Sequence, residues 1–403
     1  MWASLAVTAS KLVVVAGSVL TSVAVMEWVE RRGAAFIQDR LGPNRVGPLG
    51  LFQPIVDAVK LLFKEDITPS SVNKGLYYLA PAISVFVALV TFIVIPFGAG
   101  KDVQVFGVPL GGLIVAPDLG VGILYLLALS SLGVYGIVIA GWSSNNKYSL
   151  LGGLRSSAQL ISYEVSMGLA AVAVLVLSGN ITMNEIVARQ QQSLWFVLPL
   201  FVAFMTFLIA SFAETNRLPF DLPEAEAELI AGYHTEYSSM KFAMFYIAEY
   251  SNMVTASALL VTLFLGGWDI PFTAWDNTPP WTVLKFVATF AAFWAKVLFF
   301  MFGYVWVRWT LPRFRYDQLM DLGWKELLPV ALAYVMVVAV AVWALEALGV
   351  AFGVPYALAL TAVSAVLGAL MVWGLVHNRV IGGSAARQRA RWRADAARAK
   401  GAA

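Results

Sequence analysis

The chain has 403 residues, 60% of them hydrophobic, with 27 basic against 24 acidic side chains and a formal net charge of +3. Its mean hydropathy of +0.77 lies far above that of a soluble domain and places it among polytopic membrane proteins. It has no cysteine and only two histidines, His234 and His377 on different segments, which excludes disulfides, thiolate-held iron–sulfur clusters and zinc sites of the usual Cys/His kinds within this chain.

Nine apolar segments approach the length of about 20 residues that a membrane span needs. They cover roughly 5–27, 76–97, 119–141, 158–178, 194–213, 240–266, 284–306, 327–348 and 355–376. The first has no basic start and no cleavage signature, so it reads as a span and not as a signal peptide. The last two are separated only by the linker Gly349 to Pro355, which makes eight spans the alternative count. The fold class is all-α: one transmembrane helical domain over 1–376, followed by a basic tail over 377–403. No internal repeat, Walker loop or GxGxxG motif is present.

The first loop, 28–75, carries Arg31, Arg32, Arg40 and Arg45, with Gly42–Pro43 and Gly47–Pro48 setting its turns. Guanidinium groups on a fixed loop suit carbonyl, carboxylate or phosphate partners, with lipid headgroup contact as the alternative. Apolar positions 52, 55, 56, 59, 62 and 63 then recur at helical spacing, with Gln53, Asp57, Lys60 and Lys64 on or near the other side. This predicts an amphipathic helix in the interface plane, placed to guide a lipid-soluble molecule with a polar head. The loop 142–157 carries Arg155 and suits contact with another protein.

The loop 214–239 holds Glu214, Asp221, Glu224, Glu226, Glu228 and Glu236 against a single Arg217. A short helix starting at Glu224 would set Glu224 and Glu228 on one face, where like charges repel and raise a carboxyl pKa if the site is enclosed. Solvated loop acids are the alternative, but LPFDLP is too apolar for a free surface loop. The loop 307–326 and the tail are basic, and the tail suits anionic lipid headgroups. Placing these loops on the cytoplasmic side collects most of the basic residues there and leaves the outer loops only Lys101 and Arg189. The N-terminus is then outside and the C-terminus cytoplasmic.

Ionisable residues inside spans are Lys11, Glu164, Glu249, Lys296 and Glu346. Lys11 and Glu346 can reach an interface. Glu164 and Glu249, beside Tyr163 and Tyr250, are placed to relay protons, with Lys296 as the counter-charge; a static interhelical ion pair is the alternative.

Three blocks carry a family resemblance. ERRGAAFIQDRLGPNRVGPLGLFQPIVDAVKLLFKE, GWSSNNKYSLLGGLRSSAQLISYE and AETNRLPFDLPEAEAELIAGYHTEYSSMKFAMFYIAEY resemble the H-subunit family of bacterial respiratory complex I, the proton-pumping NADH–quinone oxidoreductase. The resemblance implies that Arg40, Arg45, Asp57 and Lys60 shape a quinone chamber. It implies an acidic path through Glu214, Asp221, Glu224, Glu226 and Glu228, continued into the membrane by Glu164 and Glu249. It implies no cofactor bound by this chain and no catalytic acid in it. Quinone would be the substrate, with iron–sulfur clusters and FMN in partner subunits. Other membrane and peripheral subunits and lipids would be partners, nucleic acid would not, and the bacterial inner membrane would be the location. The membrane component of a related hydrogenase or ferredoxin-driven pump, a stand-alone proton-coupled transporter and a purely structural anchor are the competing readings.

Overall fold

The computed structural model describes residues 2–99, 104–105, 108–109, 114–115, 120–221, 232–271, 273, 275–276, 278 and 282–377. Glu224, Glu226, Glu228 and the tail beyond His377 lie outside the described residues. Twelve α-helices follow in chain order among the described residues: α1 Trp2–Ile37, α2 Gln53–Phe63, α3 Lys74–Val90, α4 Gly122–Ser143, α5 Lys147–Ser178, α6 Met183–Gln192, α7 Phe201–Glu214, α8 Ser239–Phe264, α9 Val283–Thr310, α10 Tyr316–Asp321, α11 Leu328–Ala347 and α12 Val354–His377. Among the described residues the one departure toward strand is a two-residue pair, Gln104–Val105 with Val108–Pro109. Eight helical segments among the described residues are long and apolar enough to cross a membrane, and α7, a shorter apolar helix, stands at the fifth of the nine expected positions.

Local signals set many of the ends. The Asn73 side chain accepts from Leu76 N at the start of α3, and Asn146 accepts from Tyr148 N at the start of α5. Thr282 does the same for Lys285 N at α9, and Gly179 closes α5 in the left-handed conformation. α2 has Pro54 in its first turn, where the missing N–H costs nothing.

Several helices outrun their apolar windows. α1 has 36 residues and α5 has 32, about 54 and 48 Å at 1.5 Å per residue, against a hydrocarbon layer of about 30 Å. Their extra turns carry Glu30, Arg31 and Arg32 in α1 and Ser149 to Gln159 in α5. α10, a π-helical turn over Leu322–Leu327 and α11 also run on without a break, where hydropathy predicts a loop to 326. Tyr163 OH donates to Leu319 O at 2.9 Å beside that turn. A side-chain donor entering the backbone ladder accompanies such a turn.

The core is built around α8, the most buried span. It packs against α3, α9 and α1, while α4, α5, α7 and α11 form a contiguous set beside it. Small residues let backbones approach: a Cβ on Gly152 of α5 would lie 2.6 Å from Gly232 Cα, so that crossing requires glycine. This contact pins α5 against the segment that carries Tyr233 and His234.

Candidate functional site

The first loop folds back on α1. Trp28 Nε1 and Arg32 Nη1 both donate to Leu49 O, at 3.1 and 2.7 Å. Gly50 has φ +75°, and a Cβ there would fall 2.2 Å from Pro43 O. The loop delivers the chain into α2, whose Ile55, Val56, Val59, Leu62 and Phe63 form an exposed apolar face. Asp57, on the other face, pairs with Arg31 of α1, accepts from Gln53, and lies 3.5 Å from Lys60. Burial raises the Asp57 carboxyl pKa, but the Arg31 guanidinium outweighs it and holds the group below the usual carboxylate range. Arg31 also reaches Glu27 at 2.6 Å. At its far end α2 is capped by Ser239, whose Oγ donates to Leu61 O and Lys64 O at 2.8 and 3.1 Å. Asp57 and Lys60 are thus brought together, whereas Arg40 and Arg45 stand apart from them on the loop, Arg40 donating to Gln38 Oε1 at 2.8 Å.

At the residue before Arg31, α1 buries Glu30 among two cations and a tyrosine. Arg217 Nη1 lies 3.1 Å from Glu30 Oε1, Arg308 Nη1 hydrogen-bonds the same oxygen, and Tyr250 OH donates to Oε2 at 2.6 Å. Arg217 Nε pairs with Glu249 Oε1 at 2.6 Å, and the guanidinium stacks 4.4 Å over the Tyr250 ring. Burial disfavours the Arg217 charge, yet Glu249 and Glu30 together hold its proton still more firmly than usual. Two carboxylates and two guanidinium groups from α1, the 215–221 turn, α8 and α9 therefore balance in a desolvated cluster.

Glu249 also faces a cavity of about 80 Å³ that Glu164 of α5 and Glu214 of α7 line as well. Ser130, Asn252, Thr91 and Thr255 add polar groups to its wall. Ser131 Oγ donates to Glu164, and Ser130 bonds Glu214. At about 10–15 Å³ of such volume per water, the space admits several waters with partners on every side.

The remaining acids of the 214–239 loop are placed individually. Asp221 lies 3.3 Å from Arg313, and Glu236 accepts from Asn146 Nδ2 at 2.6 Å. His234 is buried between Tyr233 and Phe242, and its Nδ1 has no hydrogen-bond partner among the described residues. Burial lowers its pKa to about 4, so the ring is neutral at pH 7. Among the described residues no group of three His, Asp or Glu side chains is disposed to hold a metal ion.

One expectation is overturned. Lys296 is not the counter-charge of Glu164 or Glu249. Its Nζ donates to Leu265, Gly267 and Asp269 carbonyls at 2.7, 3.0 and 2.6 Å and sits 4.2 Å over the Trp195 ring, capping the far end of α8. A lysine facing free carbonyls at a helix end has a ready partner there. Arg217 fills that role for Glu249, while Glu164 accepts a hydrogen bond from Ser131. Glu30 and Arg308 give no signal in the sequence because each lies at a span end, where interface exposure is the ordinary expectation. Tyr163 and Tyr250 also point away from the carboxylates beside them, to Leu319 O and Glu30.

Comparison with known proteins agrees over most of the chain. The family profile described as NADH dehydrogenase matches residues 10–339. The H subunit of the NADH-quinone oxidoreductase of Leptospira biflexa serovar Patoc is 51% identical over 345 residues, 83% of this chain and 94% of that protein. The second H subunit of the same enzyme from Koribacter versatilis is 50% identical over 339 residues, 82% and 95% of the two chains. NADH-ubiquinone oxidoreductase chain 1 of Chondrus crispus is 49% identical over 328 residues, 81% and 94%. With a family match over far more than half its length and relatives at half identity along nearly their whole sequences, the chain belongs to the NADH dehydrogenase family of membrane subunits.

Proposed function

We propose that this chain works within a proton-pumping NADH–quinone oxidoreductase, as one wall of the quinone chamber and the first stretch of the proton path. The observation that carries the reading is the continuous set of charges from α2 to the cavity: Lys60 and Asp57, Arg31 next to Glu30, then Arg217, Glu249 and the water-sized space shared with Glu214 and Glu164. The exposed apolar face of α2 would guide the quinone tail, with Arg40 and Arg45 on the loop facing the headgroup or the neighbouring peripheral subunit. A change of charge at the headgroup would bias which carboxylate Arg217 satisfies. Glu249 would then exchange its proton with the cavity waters, and Glu214 and Glu164 would pass it on. Asp221, with Glu224, Glu226 and Glu228, would extend the acidic path on the loop side.

In this reading the charged loops face the cytoplasm and the N-terminus the opposite side of the bacterial inner membrane. The chain binds no cofactor of its own; FMN and iron–sulfur clusters in partner subunits supply the electrons.

The test is Glu249→Gln and Glu164→Gln in the intact complex. Each amide keeps the shape of the side chain and removes its proton. Proton translocation per electron should fall at least several-fold, while NADH oxidation by ferricyanide stays at the wild-type rate. Normal translocation in both variants would end the relay proposal.

A further inference from the structure

We infer that α12, which lies beyond the residues matched by the family profile, positions α7 through Ser364 and Tyr334 and so sets Glu214 at the cavity. The consequence for Glu214 rests on the relay proposed above; the docking of α12 does not.

The need arises from the length of α7. Its 14 residues span about 21 Å, short of the roughly 30 Å of a hydrocarbon layer. The chain reaches α7 through a turn in which Leu200 N bonds Phe196 O, and the helical ladder takes over where Phe204 N bonds Leu200 O. Pro199 precedes the cap residue Leu200, so its carbonyl lies outside that ladder. At membrane depth an irregular stretch of backbone is tolerated only where protein groups satisfy it.

Here the satisfying groups come from α11 and α12. Ser364 Oγ donates to Pro199 O, and Tyr334 OH lies 2.7 Å from Ser364 Oγ and 3.3 Å from Pro199 O. Each hydroxyl has one proton, so the consistent pattern is Tyr334 donating to Ser364 and Ser364 donating to the carbonyl. Both side chains are buried, Ser364 at 2% and Tyr334 at 4% exposure. A polar pair so enclosed in an apolar helix surface has no solvent to fall back on. Further along the same face, a Cβ on Gly368 would rest 3.8 Å from Val202 of α7, close but unstrained. α12 thus clamps the start of α7, while the other end carries Glu214 to the cavity and Ser211, which accepts from Tyr304 at 3.3 Å.

The experiment uses the assembled complex in native membranes. The chain has no cysteine, so Ala357→Cys, at a buried site on α12, reports undocking through its rate of maleimide labelling on this subunit. In the Ser364→Ala/Tyr334→Phe background the rate should rise roughly tenfold, and by only about two- to threefold in either single variant, since each leaves one donor for Pro199. Proton translocation per electron should fall by about twofold or more in the double variant, with ferricyanide reduction unchanged. An unchanged labelling rate would overturn the docking. Faster labelling with an unchanged proton ratio would overturn the positioning of Glu214. Glu214→Gln with a normal proton ratio would strike the relay reading and leave the labelling to judge the clamp alone. Should the double variant fail to assemble, a flat labelling rate in Ser364→Ala would overturn the proposal, because that variant leaves Pro199 only the 3.3 Å contact.

Discussion

At the scale of single residues, Arg217 decides how the buried charges behave. It pairs with both Glu30 and Glu249, and Arg308 backs only Glu30. Removing one member of a buried pair leaves an uncompensated charge, at a cost of about 3–5 kcal/mol. Arg217→Met should therefore sharply lower the amount of assembled complex on native gels. Neutralising Glu249 as well leaves Glu30 and Arg308 balanced, so Arg217→Met/Glu249→Gln should restore assembly without restoring proton translocation. Wild-type assembly of the single variant, or no rescue in the double, would contradict the charge balance described here.

His234 makes a second residue-scale case. Its folded pKa of about 4 lies below the ordinary value of about 6.5. A group held neutral by the fold contributes stability above its unfolded pKa, and that stability is lost as pH falls from about 6.5 toward 4. Thermal stability of the solubilised complex should decline between pH 7 and pH 5. His234→Phe, matched to the surrounding Tyr233 and Phe242 rings, should flatten the part of that decline that arises here. An identical slope in the variant would assign the decline to other groups. Asp57 runs in the same direction, losing stability as pH falls, but only at and below the ordinary carboxylate range. Its depressed pKa keeps the Arg31 link intact from the ordinary carboxylate range upward, so the attachment of α2 is insensitive to pH near neutrality.

At the scale of elements, α2 and most spans are legible in the sequence because apolar runs and helical spacing report directly on lipid and interface. The amphipathic helix expected from positions 52 to 63 is present over Gln53–Phe63. Hydropathy is blind to turns buried in protein and not in lipid. It misses the extensions of α1 and α5, the continuity of α10 into α11, and the shortness of α7 within the apolar run 194–213. The same blindness hides Glu30 and Arg308, whose partners come from distant helices. It also favours Lys296 as a counter-charge, since spacing cannot show that Lys296 and Glu249 stand at different ends of the bundle. The turn chemistry of the first loop, by contrast, is visible in its glycines. Gly50→Ala would need both φ near +75° and a Cβ inside the Pro43 carbonyl, so the loop must open and α2 must shift. The expected result is a several-fold rise in apparent KM for quinone with little change in ferricyanide reduction. An unchanged KM would separate the loop from the quinone entrance.

For the whole molecule, the arrangement is a gradient from exposed charge to enclosed charge. Loop guanidinium groups face outward, the Arg31–Asp57 link joins α1 to α2, and Glu30, Arg217 and Glu249 carry polarity into the core. Beyond them the cavity lies between α3, α4, α5, α7 and α8, where carboxylates from three different helices line one space. If protons move through that space, water must carry them from one helix to the next. Volume should then matter as much as acidity. Gly133 of α4 lines the cavity, and a Cβ on it would meet Val87 at an unstrained 3.6 Å. Gly133→Leu should therefore fold, fill the space with hydrocarbon and exclude the bridging waters, since an apolar-filled cavity offers them no partners. Proton translocation per electron should drop toward that of Glu249→Gln, although every carboxylate remains in place and ferricyanide reduction is unaffected. Full translocation in Gly133→Leu, with the complex assembled, would mean that the path bypasses this cavity and that Glu164, Glu214 and Glu249 serve the fold as buried polar groups.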